Sequence, residues 1–168
     1  MQHRFQYIKM EENLGISGNS NRALQAAKGA YVALLDHDDV LTEDALYWVV
    51  DALQRERYDV VYSDEDRMAE NGSHYLEPRF KPEFDIDLLR AYNYISHLFV
   101  ARRELMLADG GFHSQYDGAQ GYDMIPRCCE GNREICHIPR VLYHKRIHDG
   151  TSSEREAKHA AGRYRIPV

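Results

Sequence analysis

Long apolar runs are absent from this chain. No stretch approaches the length needed to span a bilayer, and no signal peptide opens it. Cysteine is scarce: of three, Cys128 and Cys129 are adjacent and Cys136 follows soon after. That spacing fits neither a zinc ribbon nor a CxxC redox pair, and the odd count argues against a disulfide framework. Buried, reduced thiols in a cytoplasmic protein are expected instead. An excess of positive charge is missing too. Lys and Arg number 21 against 27 Asp and Glu, a formal charge of −6, which argues against a nucleic-acid backbone as principal partner. There is no internal repeat and no low-complexity segment. What is left is a chain of 168 residues, naturally one domain and long enough to bury a core.

Strand-like and helix-like segments alternate along it. Arg4 to Lys9 alternates like a strand, and Asn19 to Lys28 reads as a helix with Ala23, Leu24 and Ala27 on one face, closed by Gly29. Ala30 to Leu35 is an apolar run. Glu43 to Arg55 reads as a helix, Tyr58 to Tyr62 as a short strand, and Asn71-Gly72 as a turn. Glu77 to Asp87, rich in Pro, Phe and charge, reads as an ordered wrapping loop, and Ile86 to Ala91 as a short helix. A strand over His97 to Ala101, a helix over Arg103 to Ala108 and a break at Gly110-Gly111 follow. Then come a helix from about Tyr122 to Glu130 and strands over Glu134 to Ile138 and Val141 to Ile147. The pattern is α/β.

The richest stretch is Ala30-Tyr-Val-Ala-Leu-Leu-Asp-His-Asp-Asp39, an apolar run that ends in three carboxylates around a histidine. The run reads as a buried strand of a parallel sheet, and such sheets bind ligands beyond the carboxyl ends of their strands. Carboxylates gathered there repel one another unless a cation joins them. Hard oxygen ligands suit Mg²⁺ or Mn²⁺, which usually hold substrate phosphates as well. The alternative is simple loop chemistry: Thr42 as an N-cap with Glu43 and Asp44 in the first helical turn. Local pattern leaves both readings open.

Taken together, Asn13-Leu-Gly-Ile-Ser-Gly-Asn-Ser-Asn21, Ala27-Lys-Gly-Ala-Tyr31 and Leu34-Leu-Asp-His-Asp-Asp39 resemble the middle of a family 2 glycosyltransferase. Tyr62-Ser-Asp-Glu-Asp66, Phe80-Lys-Pro82, Asn93-Tyr-Ile-Ser-His-Leu98 and His137-Ile-Pro-Arg-Val-Leu-Tyr-His144 are similar to its polysaccharide and O-antigen branch. The resemblance runs from about Tyr7 to Ser153 and leaves 154–168 as a polar tail. It implies a GT-A-like, mostly parallel sheet flanked by helices. It also implies an inverting transfer of sugar from a UDP- or dTDP-sugar to a glycan or lipid-linked acceptor in cell-surface polysaccharide synthesis. Asp36 and Asp38 would be the ends of the D-x-D motif, contacting the donor ribose and the Mg²⁺ or Mn²⁺ on its diphosphate. Asp38, Asp39 and His148 are the implied metal ligands, and Asn13, Gly15 and Asn21 the implied donor-side loop and helix start. The expected location is cytoplasmic, peripheral to the membrane through a partner or a lipid-linked substrate.

Two departures qualify the resemblance. Family members carry a catalytic carboxylate after a Glu or Gln, but here Gln120 is followed by Gly121, which cannot take a proton. Asp123 and Asp117 are the candidate substitutes, with Asp123 also suited to support the following helix, in which Pro126 is a second irregularity. In addition, the family's first two strands, which build most of the nucleobase pocket, have no counterpart in this sequence. The expectation is a truncated product or fragment with one sheet edge exposed, pairing with another copy or leaving its amino-terminal segment poorly ordered. The alternative function is therefore a catalytically silent binding or oligomerisation module. A nucleotidyltransferase-like phosphate enzyme would account for the acidic strand end but not the downstream motifs. Ser63 to Asp66 reads as a solvated acidic turn or an acceptor-side wall. Arg79, Lys81 and His97 read as acceptor contacts or as charges facing water.

Overall fold

The computed structural model describes residues 6–147. In chain order the elements are α1 (Gly15–Ala26), β1 (Tyr31–Leu34), β2 (Val40–Leu41), α2 (Ala45–Arg55), β3 (Val60–Met68), β4 (Tyr75–Arg79) and α3 (Ile86–Ala91). Then follow β5 (Phe99–Arg102), α4 (Arg103–Ala108), a 3₁₀ turn (Ser114–Tyr116), α5 (Gln120–Cys129) and β6 (Ile135–Arg146). The strands lie in the order β1-β5-β3-β6-β2, with β4 beside β3.

The alternation along β3 and β5 explains the layers. Val60 and Tyr62 of β3, with Phe99 and Ala101 of β5, join a core with Leu24, Leu89, Met106, Ile125 and Cys128 from α1, α3, α4 and α5. Val61 and Val100 face the other way and pack with Ala45 and Val49 of α2 and Leu142 of β6. Successive strand residues point to opposite faces, so one sheet carries two cores and is covered on both sides.

The architecture is α/β, as the sequence implies, but the sheet is mixed. Only β3 and β6 run parallel; β1–β5, β3–β5, β3–β4 and β2–β6 are antiparallel. The acidic strand β1 is an edge strand, half-buried rather than enclosed, and among the described residues it pairs with β5 alone.

Other boundaries shift for identifiable reasons. Residues 6–9 of the expected amino-terminal strand form no strand, and 4–5 lie outside the described residues. Helix α1 starts at Gly15, four residues early, because its first turn gains a distant acceptor: the Ser17 amide donates to Asp117 Oδ1 at 3.0 Å. Thr42 is not the cap of α2; Asp44 holds that position, and the Thr42 hydroxyl donates to Asp44 Oδ1 at 2.8 Å. The two expected carboxyl-terminal strands are one, β6. Its register against β3 jumps from Ile138 to Val141, so Pro139, which has no amide to donate, sits in the irregularity.

The loop expected over Glu77 to Asp87 begins instead as the end of β4, while the helix over Ile86 to Ala91 forms with Asp85 as its cap, accepting from Asp87 and Leu88 amides. The cysteines are free; Cys128 and Cys129 are buried, and burial pushes the Cys128 thiol up to about 12, which keeps it an inert thiol. Among the described residues, no helix is long and apolar enough to cross a membrane.

Candidate functional site

A cleft of about 350 Å³ opens between α1, β1 and the first turn of α5. Its apolar lining includes Ile16, Leu24, Val32, Leu34 and Ile125, and its polar lining Asp36, His97, Gln120 and Tyr143. The volume lies within the range of ordinary small-ligand pockets.

The acidic turn sits at the end of β1, where the sequence placed it. A turn bond from the Asp39 amide to the Asp36 carbonyl, 3.3 Å, curls the chain back into β2. Strand β2 is short, but it pairs Val40 with His144 and Leu41 with Tyr143, and so docks the turn on the far end of β6. The Tyr143 hydroxyl donates to Asp39 Oδ2 at 2.6 Å and accepts from the Asp36 amide at 3.2 Å. The Arg146 amide donates to Asp39 Oδ1 at 2.8 Å. Burial, then the bond to Asp39, raises the Tyr143 pKa, so it stays a phenol donor. Asp39 is thus fixed by two donors, while the Asp36 side chain is 66% exposed.

The structure joins His97 to these carboxylates. One ligand atom each from Asp36, Asp39 and His97 lies within 4.8 Å of the others, with His97 Nε2 3.9 Å from Asp36 Oδ2. Two carboxylates and an imidazole are a donor set that suits a divalent cation. Asp38, the other end of the motif, is placed differently: its carbonyl accepts from Arg146 Nε at 2.8 Å, and its Oδ1 is 3.7 Å from His37 Nδ1. His148 lies outside the described residues.

Behind His97 the Ser63 to Asp66 stretch, for which the sequence leaves open a solvated acidic turn or an acceptor-side wall, is a polar core and not a solvated turn. Asp64, Glu65 and Asp66 lie within β3 at 2%, 6% and 8% exposure. Each has its own partner: His137 Nε2 at 2.8 Å from Asp64, Lys81 Nζ at 3.1 Å from Glu65, and His144 Nδ1 at 2.6 Å from Asp66. Glu65 Oε2 is also 3.3 Å from His97 Nδ1, and Lys81 Nζ donates to the His97 carbonyl. Burial opposes charge on both members of the Glu65–Lys81 pair. It wins at Lys81, whose ammonium is pulled below its usual value. It loses at Glu65, where hydrogen bonds from His97 and Lys81 and the Lys81 ammonium hold the carboxyl at about 2. Glu65 is therefore an anion fixed behind the imidazole, and Lys81 and His97 are parts of the site's support rather than charges facing water.

The remaining sequence candidates surround the cleft without lining it. Asn13 Oδ1 accepts from the Gly15 amide at 3.0 Å. Gly15 has φ +73°, a backbone angle that favours glycine, and a Cβ there would lie 2.6 Å from Asp117 Oδ2, so the Asp117 carboxylate would have to shift. Asn21 clamps the Phe112 backbone, donating to its carbonyl at 2.7 Å and accepting from its amide at 2.8 Å. Asp117 caps α1 through Ser17, and that hydrogen bond lowers its pKa. Asp123 is turned into a pair with Arg127 at 2.7 Å and His113 at 3.2 Å. Neither carboxylate reaches the cleft wall, whereas Gly121 forms part of it.

Comparison with known proteins bears on family and fold. The family model for "Glycosyl transferase family 2" matches residues 1–108. A Sinorhizobium fredii protein named y4gI is 42% identical over 153 residues, which is 89% of this chain and 17% of that protein. The O-antigen biosynthesis protein RfbC of Myxococcus xanthus is 37% identical over 139 residues, 82% of this chain and 11% of that protein. The chain therefore spans less than a fifth of either relative's length. S. aureus TarS 1–349, solved in complex with UDP, superposes with a TM-score of 0.61 at 21% identity, covering 79% of this chain and 40% of that one.

Proposed function

The chain belongs to glycosyl transferase family 2, and on that premise we propose that it serves an inverting transfer of sugar from a UDP- or dTDP-sugar to a hydroxyl of a glycan or lipid-linked acceptor, in cell-surface polysaccharide synthesis. The observation that carries this reading is the meeting of Asp36, Asp39 and His97, of which Asp36 and His97 line the cleft. In the transfer, the acceptor hydroxyl oxygen would form its bond to the anomeric carbon on the face opposite the diphosphate, its proton passing to solvent. The carbon–oxygen bond to the diphosphate would break in the same step, and the diphosphate would leave as the anion. A divalent ion, when bound, would offset the charge of the departing nucleoside diphosphate. Asp36 and Asp39 would hold that ion, with Asp38 as the further carboxylate of the motif. Tyr143 and the Arg146 amide keep Asp39 aimed. The O-antigen role of RfbC and the UDP of TarS support the pathway and donor class. A lipid-linked acceptor would bring the chain to the membrane through its substrate.

Calorimetry with UDP and dTDP in the presence of Mn²⁺ tests the reading. Metal-dependent binding is expected, with Asp36→Ala weakening it on the order of 100-fold. Asp38→Ala, measured beside it, reports what the central motif carboxylate contributes. A folded protein that binds neither nucleotide would sink the donor assignment.

One observation favours a second reading, a chain that binds donor without turnover. On the α5 side the cleft presents Gly121, while Asp117 and Asp123 are held in structural bonds. Nucleotide release from UDP-GlcNAc separates the two readings: binding without release identifies the silent module.

A further inference from the structure

The sequence resemblance implies Asp38, Asp39 and a carboxyl-terminal histidine around the metal. Among the described residues the geometry points to His97: we propose that it is an imidazole ligand of the divalent ion, with Glu65 as its positioning residue. The inference rests on the reading above only for the location of the ion at the acidic turn, and it requires no nucleotide.

His97 reaches the site from the residue stretch leading into β5, far in sequence from the acidic turn. Its two ring nitrogens have different surroundings. Nδ1 faces the Glu65 carboxylate at 3.3 Å and the Ser96 hydroxyl at 3.1 Å. Nε2 faces Asp36 Oδ2 at 3.9 Å. With the proton on Nδ1, against an anion held ionised by Lys81, Nε2 presents a lone pair to the cleft. This carboxylate–histidine arrangement is the usual means of fixing the tautomer and ring direction of a metal-binding histidine. Lys81 stabilises the far side of the device, pairing with Glu65 at 3.1 Å and donating to the His97 carbonyl. The Tyr143 ring packs against the imidazole with centroids 4.9 Å apart, and its hydroxyl binds Asp39, so one side chain orients both prospective ligands.

An imidazole ligand also has a consequence for metal choice. Nitrogen donors favour Mn²⁺ over Mg²⁺, which prefers an all-oxygen shell. His97 therefore tilts the site toward Mn²⁺.

The test is electron spin-echo envelope modulation on Mn²⁺ added alone to the full chain, with Mn²⁺ and Mg²⁺ affinities measured in parallel. The wild type is expected to show imidazole ¹⁴N modulation. His97→Gln should lose that modulation, bind Mn²⁺ about 10-fold or more weakly, and narrow its preference for Mn²⁺ over Mg²⁺. Glu65→Gln should keep the nitrogen signal and weaken Mn²⁺ binding by about 10-fold, because the ligand remains but its support is lost. Circular dichroism establishes that each variant is folded. Modulation that persists unchanged in His97→Gln overturns the assignment, as does a folded wild type that binds Mn²⁺ through oxygen alone or not at all. Nitrogen-ligated Mn²⁺ without any UDP binding would leave the His97 assignment standing and defeat the donor reading instead.

Discussion

On the sheet side of the cleft, Asp36 and Asp39 stand on a turn tied to β6, with His97 held against them from behind. On the helix side, Asp117 and Asp123 occupy superficially similar positions near the start of α5, yet neither faces the cleft. Both walls carry two aspartates within a few residues of each other. The difference lies in what the surrounding backbone offers. Asp117 finds an open helix start at Ser17, a hundred residues away in sequence, and Asp123 finds Arg127 one turn along its own helix, so both are consumed by the scaffold. The Asp36 side chain keeps two-thirds of its surface in solvent, and the donors on Asp39 orient it while leaving lone pairs for a cation. An aspartate becomes a site residue when its hydrogen bonds come from behind it; when its bonds are complete, it becomes part of the scaffold.

Removing the support behind the sheet wall should have the largest effect. Glu65→Ala strands the buried Lys81 ammonium, whose side chain is 5% exposed. Loss of one partner of such a pair costs about 3–5 kcal/mol, measured as a lower urea midpoint with unchanged slope. A variant as stable as the wild type would show that the pair is dispensable.

The next experiment gives the helix wall what it lacks. A Cβ at Gly121 would meet only Asn93 Nδ2 and Ile125 Cδ1, both at 3.9 Å, so Gly121→Asp fits without a clash. It also places an acid in the first turn of α5, which the helix dipole favours. If an absent base is what limits this chain, sugar transfer should rise by about 100-fold. A folded variant that binds donor and gains nothing would move the limitation elsewhere.

A smaller loss is expected from cutting a scaffold bond. Asn21→Ala removes both hydrogen bonds to the Phe112 backbone and should destabilise the chain by about 1–3 kcal/mol, read by thermal unfolding. Nucleotide affinity, measured at a temperature where the variant is fully folded, should stay unchanged. A selective loss of affinity would make Asn21 a donor contact after all.

The smallest effect is a pH dependence. The folded pKa of Asp117 is depressed below its ordinary 3.8 by the Ser17 bonds. Its contribution to stability is therefore fully present above that ordinary value and is lost as pH falls through the lower folded one. The stability difference between wild type and Asp117→Asn should be visible near neutrality and shrink below the carboxylate range. A difference that grows with acid would contradict the capping role.

Legibility followed contiguity. The apolar run and the carboxylates that end it are neighbours in the chain, so Asp36, Asp38 and Asp39 could be read as a group, as could the α3 boundary and the Gly110-Gly111 break. Asp64 to Asp66 could not. A run of acid, read locally, belongs in water, and only His137, Lys81 and His144, brought in from elsewhere, allow it to lie inside a central strand. The same holds for His97 and Tyr143, whose places beside the acidic turn depend on β5 and β6.

The sequence by itself determined the alternating α/β pattern, the acidic end of β1, the missing carboxylate at Gly121 and the family, because each depends on residues a few positions apart. Tertiary structure alone decided which carboxylates face the cleft, which are spent on capping and pairing, and which histidine joins them. Those outcomes depend on hydrogen-bond partners delivered by strands and loops tens of residues away, and no local pattern encodes a partner that only the folded sheet brings within reach.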